Sequence, residues 1–152
     1  MTKVYVVTFM PYKYLEGLTS ADIAFEATGK TAKEMFEFAG VAVLGTMVRD
    51  PKKIKPKEKR TIEKTAPNIS KLLFDFLDEL IFLKDAEQMF FSEFKVEVSG
   101  KEGDYSLKVE AKGEKIDPKR HDIVIDAKAV TMHKFEVKKT AKGWRAQVII
   151  DV

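Results

Sequence analysis

The chain has 152 residues, 45% of them apolar and 34% charged, with a net charge of +3. That is enough for one compact domain (residues 1–152) with a real core, and too mildly basic to demand a nucleic-acid partner. Cysteine is absent, which removes disulfides, thiolate zinc sites, iron–sulfur clusters and cysteine nucleophiles, and fits a reducing cytoplasm.

Residues 4–10 form a short β-branched run that meets Pro11 and predict a first strand better than a signal peptide. No segment approaches the roughly 20 apolar residues that a membrane helix needs. Residues 11–17 follow as a stretch punctuated by proline and glycine. From Asp22 to Thr28, the residues Ile23, Phe25 and Ala27 alternate with Ala24, Glu26 and Thr28, the period of a strand that Gly29 breaks. Thr31 and Glu34 make a capping box, and Met35, Phe38, Ala39, Ala42 and Thr46 recur behind it at helical spacing. The prediction is a helix over 32–48, ended by Asp50-Pro51.

A basic run follows, with Lys52, Lys53, Lys55, Lys57, Lys59 and Arg60 around Pro56. It could grip phosphates, but without aromatic residues it lacks a stacking platform, and a solvated loop is the commoner meaning. A third strand is expected near 59–64. Asn68 then caps a second helix, over 68–85, whose stripe runs Ile69, Leu72, Leu73, Phe76, Leu77, Leu80 and Leu83. The additional Phe74, Ile81 and Phe82 predict burial on more than one side. From Phe90 the period changes to two. Strands are expected on either side of a turn at 99–103, then over 123–137 and 144–150. This order predicts an α+β fold, a single-domain α/β sandwich with two helices packed on mostly antiparallel sheet.

Phosphate-binding glycine motifs are absent, and His121 and His133 stand in no metal-ligand pattern. The acidic candidates are Asp22, at the mouth of a strand, and Asp151, behind Val148-Ile149-Ile150. With the carbonyl of Val152 they offer hard oxygen donors suited to calcium or magnesium. Spacing alone favours surface salt bridges, because nothing in it brings Asp22 and Asp151 together.

Several segments carry a resemblance. Thr19-Ser20-Ala21-Asp22-Ile23-Ala24, followed by Gly29-Lys30-Thr31-Ala32-Lys33-Glu34-Met35-Phe36, resembles the N-terminal signature of the archease family. The helix around Leu72-Leu73 and Phe76-Leu77-Asp78-Glu79-Leu80 is similar to the family's second helix. Gly113-Glu114-Lys115-Ile116-Asp117-Pro118-Lys119-Arg120-His121 is the most specific match, and Ala127-Lys128-Ala129-Val130-Thr131-Met132-His133, Gly143-Trp144 and Ile149-Ile150-Asp151-Val152 follow in order. The family's histidine before the Thr-Ala-Asp triplet has no counterpart in Gly17-Leu18-Thr19-Ser20, and Met132 stands where the family has tyrosine.

The resemblance implies a non-catalytic accessory protein of the cytoplasm. Such a protein promotes guanylylation and turnover of the RtcB-type RNA ligase in tRNA splicing and RNA repair, and meets RNA only through that ligase. It also implies a calcium ion, or another hard divalent cation, held by Asp22, Asp151 and the carbonyl of Val152. Two other functions compete: a small metal-dependent hydrolase built on the two aspartates, and an RNA-binding module or tRNA-handling chaperone built on the basic run.

Overall fold

The computed structural model describes residues 11–16 and 22–152; the strand expected over 4–10 lies outside them. In chain order the elements are β1 (Tyr12–Leu15), β2 (Ile23–Gly29), α1 (Ala32–Met47), a 3-10 turn (Pro51–Lys53), β3 (Glu58–Ala66), α2 (Ile69–Glu87), β4 (Met89–Lys101), β5 (Asp104–Lys115), β6 (Ala129–Thr140) and β7 (Gly143–Asp151). Two antiparallel sheets result, one in the order β1-β2-β7-β6 and the other β3-β5-β4. Two helices on antiparallel sheet are what the sequence predicts.

Both helices begin where their caps stand. The Thr31 hydroxyl accepts from Glu34 N–H at 3.2 Å, and Glu34 Oε1 reaches back to accept from Lys30 N–H, one residue before the cap, at 2.8 Å. Asn68 Oδ1 accepts from Lys71 N–H at 2.8 Å. Each helix touches strands of both sheets, and no strand of one sheet neighbours a strand of the other among the described residues. The helices therefore form a layer between the sheets, and a helix covered on two sides must be apolar over most of its circumference. Met35, Phe36, Ala39, Val43 and Leu44 of α1 are buried, as are Phe76, Leu77, Leu80 and Ile81 of α2. Phe36 stacks on Phe76 at 5.9 Å between ring centres, and Phe94 meets Phe76 edge-on at 5.8 Å. These ring pairs join the helices to the second sheet.

Several expectations change. Tyr12–Leu15 is a strand, not a connection, because it lies antiparallel on β2 and the Tyr14 hydroxyl donates to Ala42 O of α1 at 2.8 Å. Burial pushes that phenol up to about 12. Strand β2 continues through Gly29, which pairs with Trp144. Phe82 is 59% exposed, on the side of α2 that neither sheet covers. Residues 123–128 alternate in sequence but form no strand: they make a single bridge, Ile123 to Val48, before β6 begins at Ala129. Lys52, Lys53, Lys55 and Lys57 are exposed around the 3-10 turn, whereas Lys59 and Arg60 lie on β3.

Candidate functional site

Strands β2 and β7 are 120 residues apart in sequence, yet they pair along their whole lengths, from Gly29 opposite Trp144 to Ile23 opposite Ile150. The ladder ends at Ile23 opposite Ile150, which leaves Asp22 and Asp151 as the next residues of the two chains at that end. Asp151 is paired with Ala129 of β6, and its carbonyl accepts from Lys128 N–H at 2.8 Å. Both aspartates and Val152 are half-buried, and Val152 packs against the core.

Neither carboxylate forms an ion pair with another described residue. Two carboxylates at one end of a ladder, with a main-chain carbonyl after one of them, are donors of the kind a hard cation takes. The residues present fit such an ion. Among the described residues, no cluster of three or more His, Cys, Asp or Glu side chains forms a ready metal cage; any further ligands would be main-chain oxygens or water.

The segment entering β6 is tied down at three points. Its first anchor is Glu114, a buried carboxylate at the end of β5 that sequence reasoning passed over. Glu114 Oε2 accepts from Lys55 N–H at 2.7 Å and lies 2.8 Å from His121 Nε2, while Oε1 is paired with Arg120. His121 Nδ1 accepts from Asp117 N–H at 2.9 Å, which puts the ring proton on Nε2, where it donates to Glu114. Burial alone would push the Glu114 carboxyl up, but the donors from Arg120, Lys55 and His121 outweigh it and hold the group down at about 2. The lone histidine of the Asp-Pro-Lys-Arg-His motif thus holds the loop together.

The second anchor joins the loop to the end of α1: Arg49 N–H donates to Asp122 O and Val124 N–H to Met47 O, at 2.9 and 2.7 Å. The third is Lys84, a buried lysine within the leucine stripe of α2. Its ammonium reaches Asp126 Oδ1 at 2.6 Å and Ala127 O at 2.7 Å. Burial pulls this lysine down, and the partners Asp126 and Asp85 more than restore it, leaving it raised. Two residues beyond Asp126, Lys128 meets Asp151. Glu114 and Lys84 therefore fix the strand that flanks the aspartate pair.

The sequence profile of the Archease protein family matches residues 12–152. The chain belongs to the archease family. The archease of Methanosarcina mazei is 40% identical over 142 residues, covering 93% of this chain and 95% of the relative, and that of Pyrococcus furiosus is 36% identical over 88% and 94%. The solution structure of protein 1598 from Methanobacterium thermoautotrophicum superposes with a TM-score of 0.81 at 34% identity, covering 93% of this chain and 99% of that one. A crystal structure from Thermotoga maritima, described as an archease and possible chaperone, shares the fold at 17% identity and a TM-score of 0.52, over 88% and 93%.

As a member of that family, this chain carries features that bear on the competing readings. In the basic run, Lys59 lies 3.9 Å from Glu110 and Arg60 contacts Glu58 and Glu87, so part of its charge is neutralised within the fold. Neither histidine is bonded to Asp22 or Asp151: His121 is committed to Glu114, and His133 is exposed on β6. A hydrolase would need a general base beside a metal-bound water, and no histidine of the described structure takes that place. No helix among the described residues is long and apolar enough to cross a membrane.

Proposed function

We propose that this archease-family chain is a non-catalytic, cytoplasmic accessory protein that activates an RtcB-type RNA ligase in tRNA splicing and RNA repair. It does so by promoting guanylylation and turnover of the ligase. The observation that supports the proposal is that Asp22 and Asp151 follow directly on the Ile23–Ile150 end of the β2–β7 ladder, neither paired with a described cation, in a member of this family. Asp22, Asp151 and the Val152 carbonyl would hold calcium or another hard divalent cation, whose charge would offset the two carboxylates and leave a partly exposed, oxygen-rich point for the ligase to meet. The chain itself contributes position. The pairing of β2 with β7 fixes the spacing of the two carboxylates, and the Glu114 and Lys84 anchors fix the segment beside them. The covalent chemistry belongs to the ligase, and RNA is reached only through it.

The test is guanylylation of a cognate RtcB-type ligase by GTP, with a trace of this protein or without it. Stimulation of the initial rate and of multiple turnover by wild type, lost in Asp22→Ala and Asp151→Ala proteins that keep wild-type melting curves, is the expected result. Equal ligase rates with and without the protein would refute the proposal.

A further inference from the structure

The end of the β2–β7 ladder opposite the aspartates opens into a cavity of about 580 Å3, within the roughly 300–1,000 Å3 range of small-ligand sites. Two glycines shape it. A Cβ on Gly143, whose φ is +145°, would lie 2.1 Å from Gly29 O, and one on Gly29 would lie 2.5 Å from Met35 N. Their absence lets the β6–β7 hairpin close on the end of β2 and the start of α1. The rings of Trp144 and Phe38, both half-buried, then face a space that no side chain of the described structure fills.

The charges around this space are unequal. Among the described lining residues Glu34 alone is acidic, and its Oε1 already accepts from Lys30 N–H. Arg145 is held by Glu26 and Glu136 at 2.6 and 3.1 Å. Lys30 and Lys142 are exposed, and neither ammonium forms an ion pair with a described residue. A third ammonium, that of Lys139, lies 5.9 Å from the centre of the Trp144 ring. The charge left over is positive. Thr28 and Thr140 add hydroxyls to the wall.

A hairpin tryptophan that served packing alone would be covered, with its neighbouring lysines free to point anywhere. Here aromatic faces, uncommitted cations and hydroxyls converge on one cavity, and that combination suits a ligand that is planar and aromatic at one end and anionic at the other. We propose that this cavity binds a nucleotide, with the base against Trp144 and Phe38 and the phosphate at Lys30 and Lys142. A free mononucleotide and the terminal nucleotide of an RNA share this chemistry. The proposal does not depend on ligase activation, because it concerns direct binding to the isolated chain.

Trp144 is the only tryptophan in the sequence, so its fluorescence reports on this cavity. The full chain is titrated with guanosine 5′-monophosphate, with guanosine, and with a 5′-phosphorylated RNA trinucleotide. The monophosphate should quench Trp144 saturably, and guanosine should bind at least about tenfold more weakly, the loss expected when the charge-assisted contacts to two exposed lysines are missing. The Lys30→Glu, Lys142→Glu double variant, with an unchanged circular dichroism spectrum, should lose about the same factor for the monophosphate and nothing for guanosine. Lys142→Gln is the milder variant and should show a smaller loss of the same kind. Binding of the trinucleotide at least as tight as that of the monophosphate identifies an RNA end as the occupant, and tighter monophosphate binding identifies a free nucleotide. No saturable quenching by any of the three, or undiminished monophosphate binding by both lysine variants, overturns the proposal.

Discussion

Glu114 shows how much of the candidate site depends on one carboxylate remote from it. It is nearly inaccessible to solvent and takes donors from the main chain of Lys55 and the side chains of Arg120 and His121. Replacing it with Ala would strand those donors in a low-dielectric place, at a cost of about 3 kcal/mol, measurable by denaturant titration. Its pH dependence has a definite sign. The folded carboxyl sits near 2, below its ordinary 4.5, so the stability it contributes is fully present above about pH 4.5 and is lost as pH falls through about 2. Wild type should therefore lose stability over that window, and Glu114→Ala should lose less over the same range in acid melts. Little of this is legible in the sequence. The Gly-Glu motif stands out as a family signature, but nothing local tells that Glu114 reaches back 59 residues to Lys55. Lys84 is hidden for a related reason: a cation inside a leucine stripe reads as a solvent-facing position until Asp126 and the Ala127 carbonyl close around it.

Elements are far more legible than contacts, because their signals are local. The capping box and Asn68 place both helix starts to within a residue, and the period of two gives β4, β5 and β7. Thr31→Ala should cost about 1 kcal/mol through loss of the cap, with Thr31→Asn close to wild type in thermal melts. Where the local signal fails, tertiary structure has overridden it. Residues 123–128 alternate like a strand, yet Val124 N–H goes to the end of α1 and Asp126 to Lys84 of α2, and only Lys128 N–H reaches a strand, at Asp151 O of β7. β1 is short and proline-led, and it exists because β2 offers it an edge. The basic run divides between the two cases. Lys52, Lys53, Lys55 and Lys57 are exposed side chains, and changing all four to Ser should move stability by less than about 1 kcal/mol. Loss of ligase activation in that folded variant would make the run a partner surface.

At the scale of the whole molecule, β2 and β7 act as a rod with a different chemistry at each end. Six residue steps separate Ile23 from Gly29, about 20 Å at strand spacing, with the oxygen-rich aspartate pair beyond one end and the aromatic, cationic cavity at the other. Spacing and periodicity do not disclose this pairing, since residues near 25 and residues near 148 leave no local trace of each other, and in the sequence only the family resemblance joins Asp22 to Asp151. The rod also predicts how variants combine. If Asp22 and Asp151, at the same end of the β2–β7 ladder, hold one cation, Asp22→Ala and Asp151→Ala should each abolish ligase stimulation and the double variant should add little, because residues that act as a unit are not additive. Folding should survive, since removing one of two carboxylates at one end of a ladder relieves their repulsion. Calcium should raise the melting temperature of wild type but not of either single variant, through preferential binding to the folded chain. Across the rod the opposite holds: Asp151→Ala and Lys142→Glu are too far apart to share partners, so their effects on melting temperature should sum. Full ligase stimulation by Asp151→Ala would dissolve the aspartate pair as a functional unit, and a calcium shift that persisted in both single variants would place the ion elsewhere.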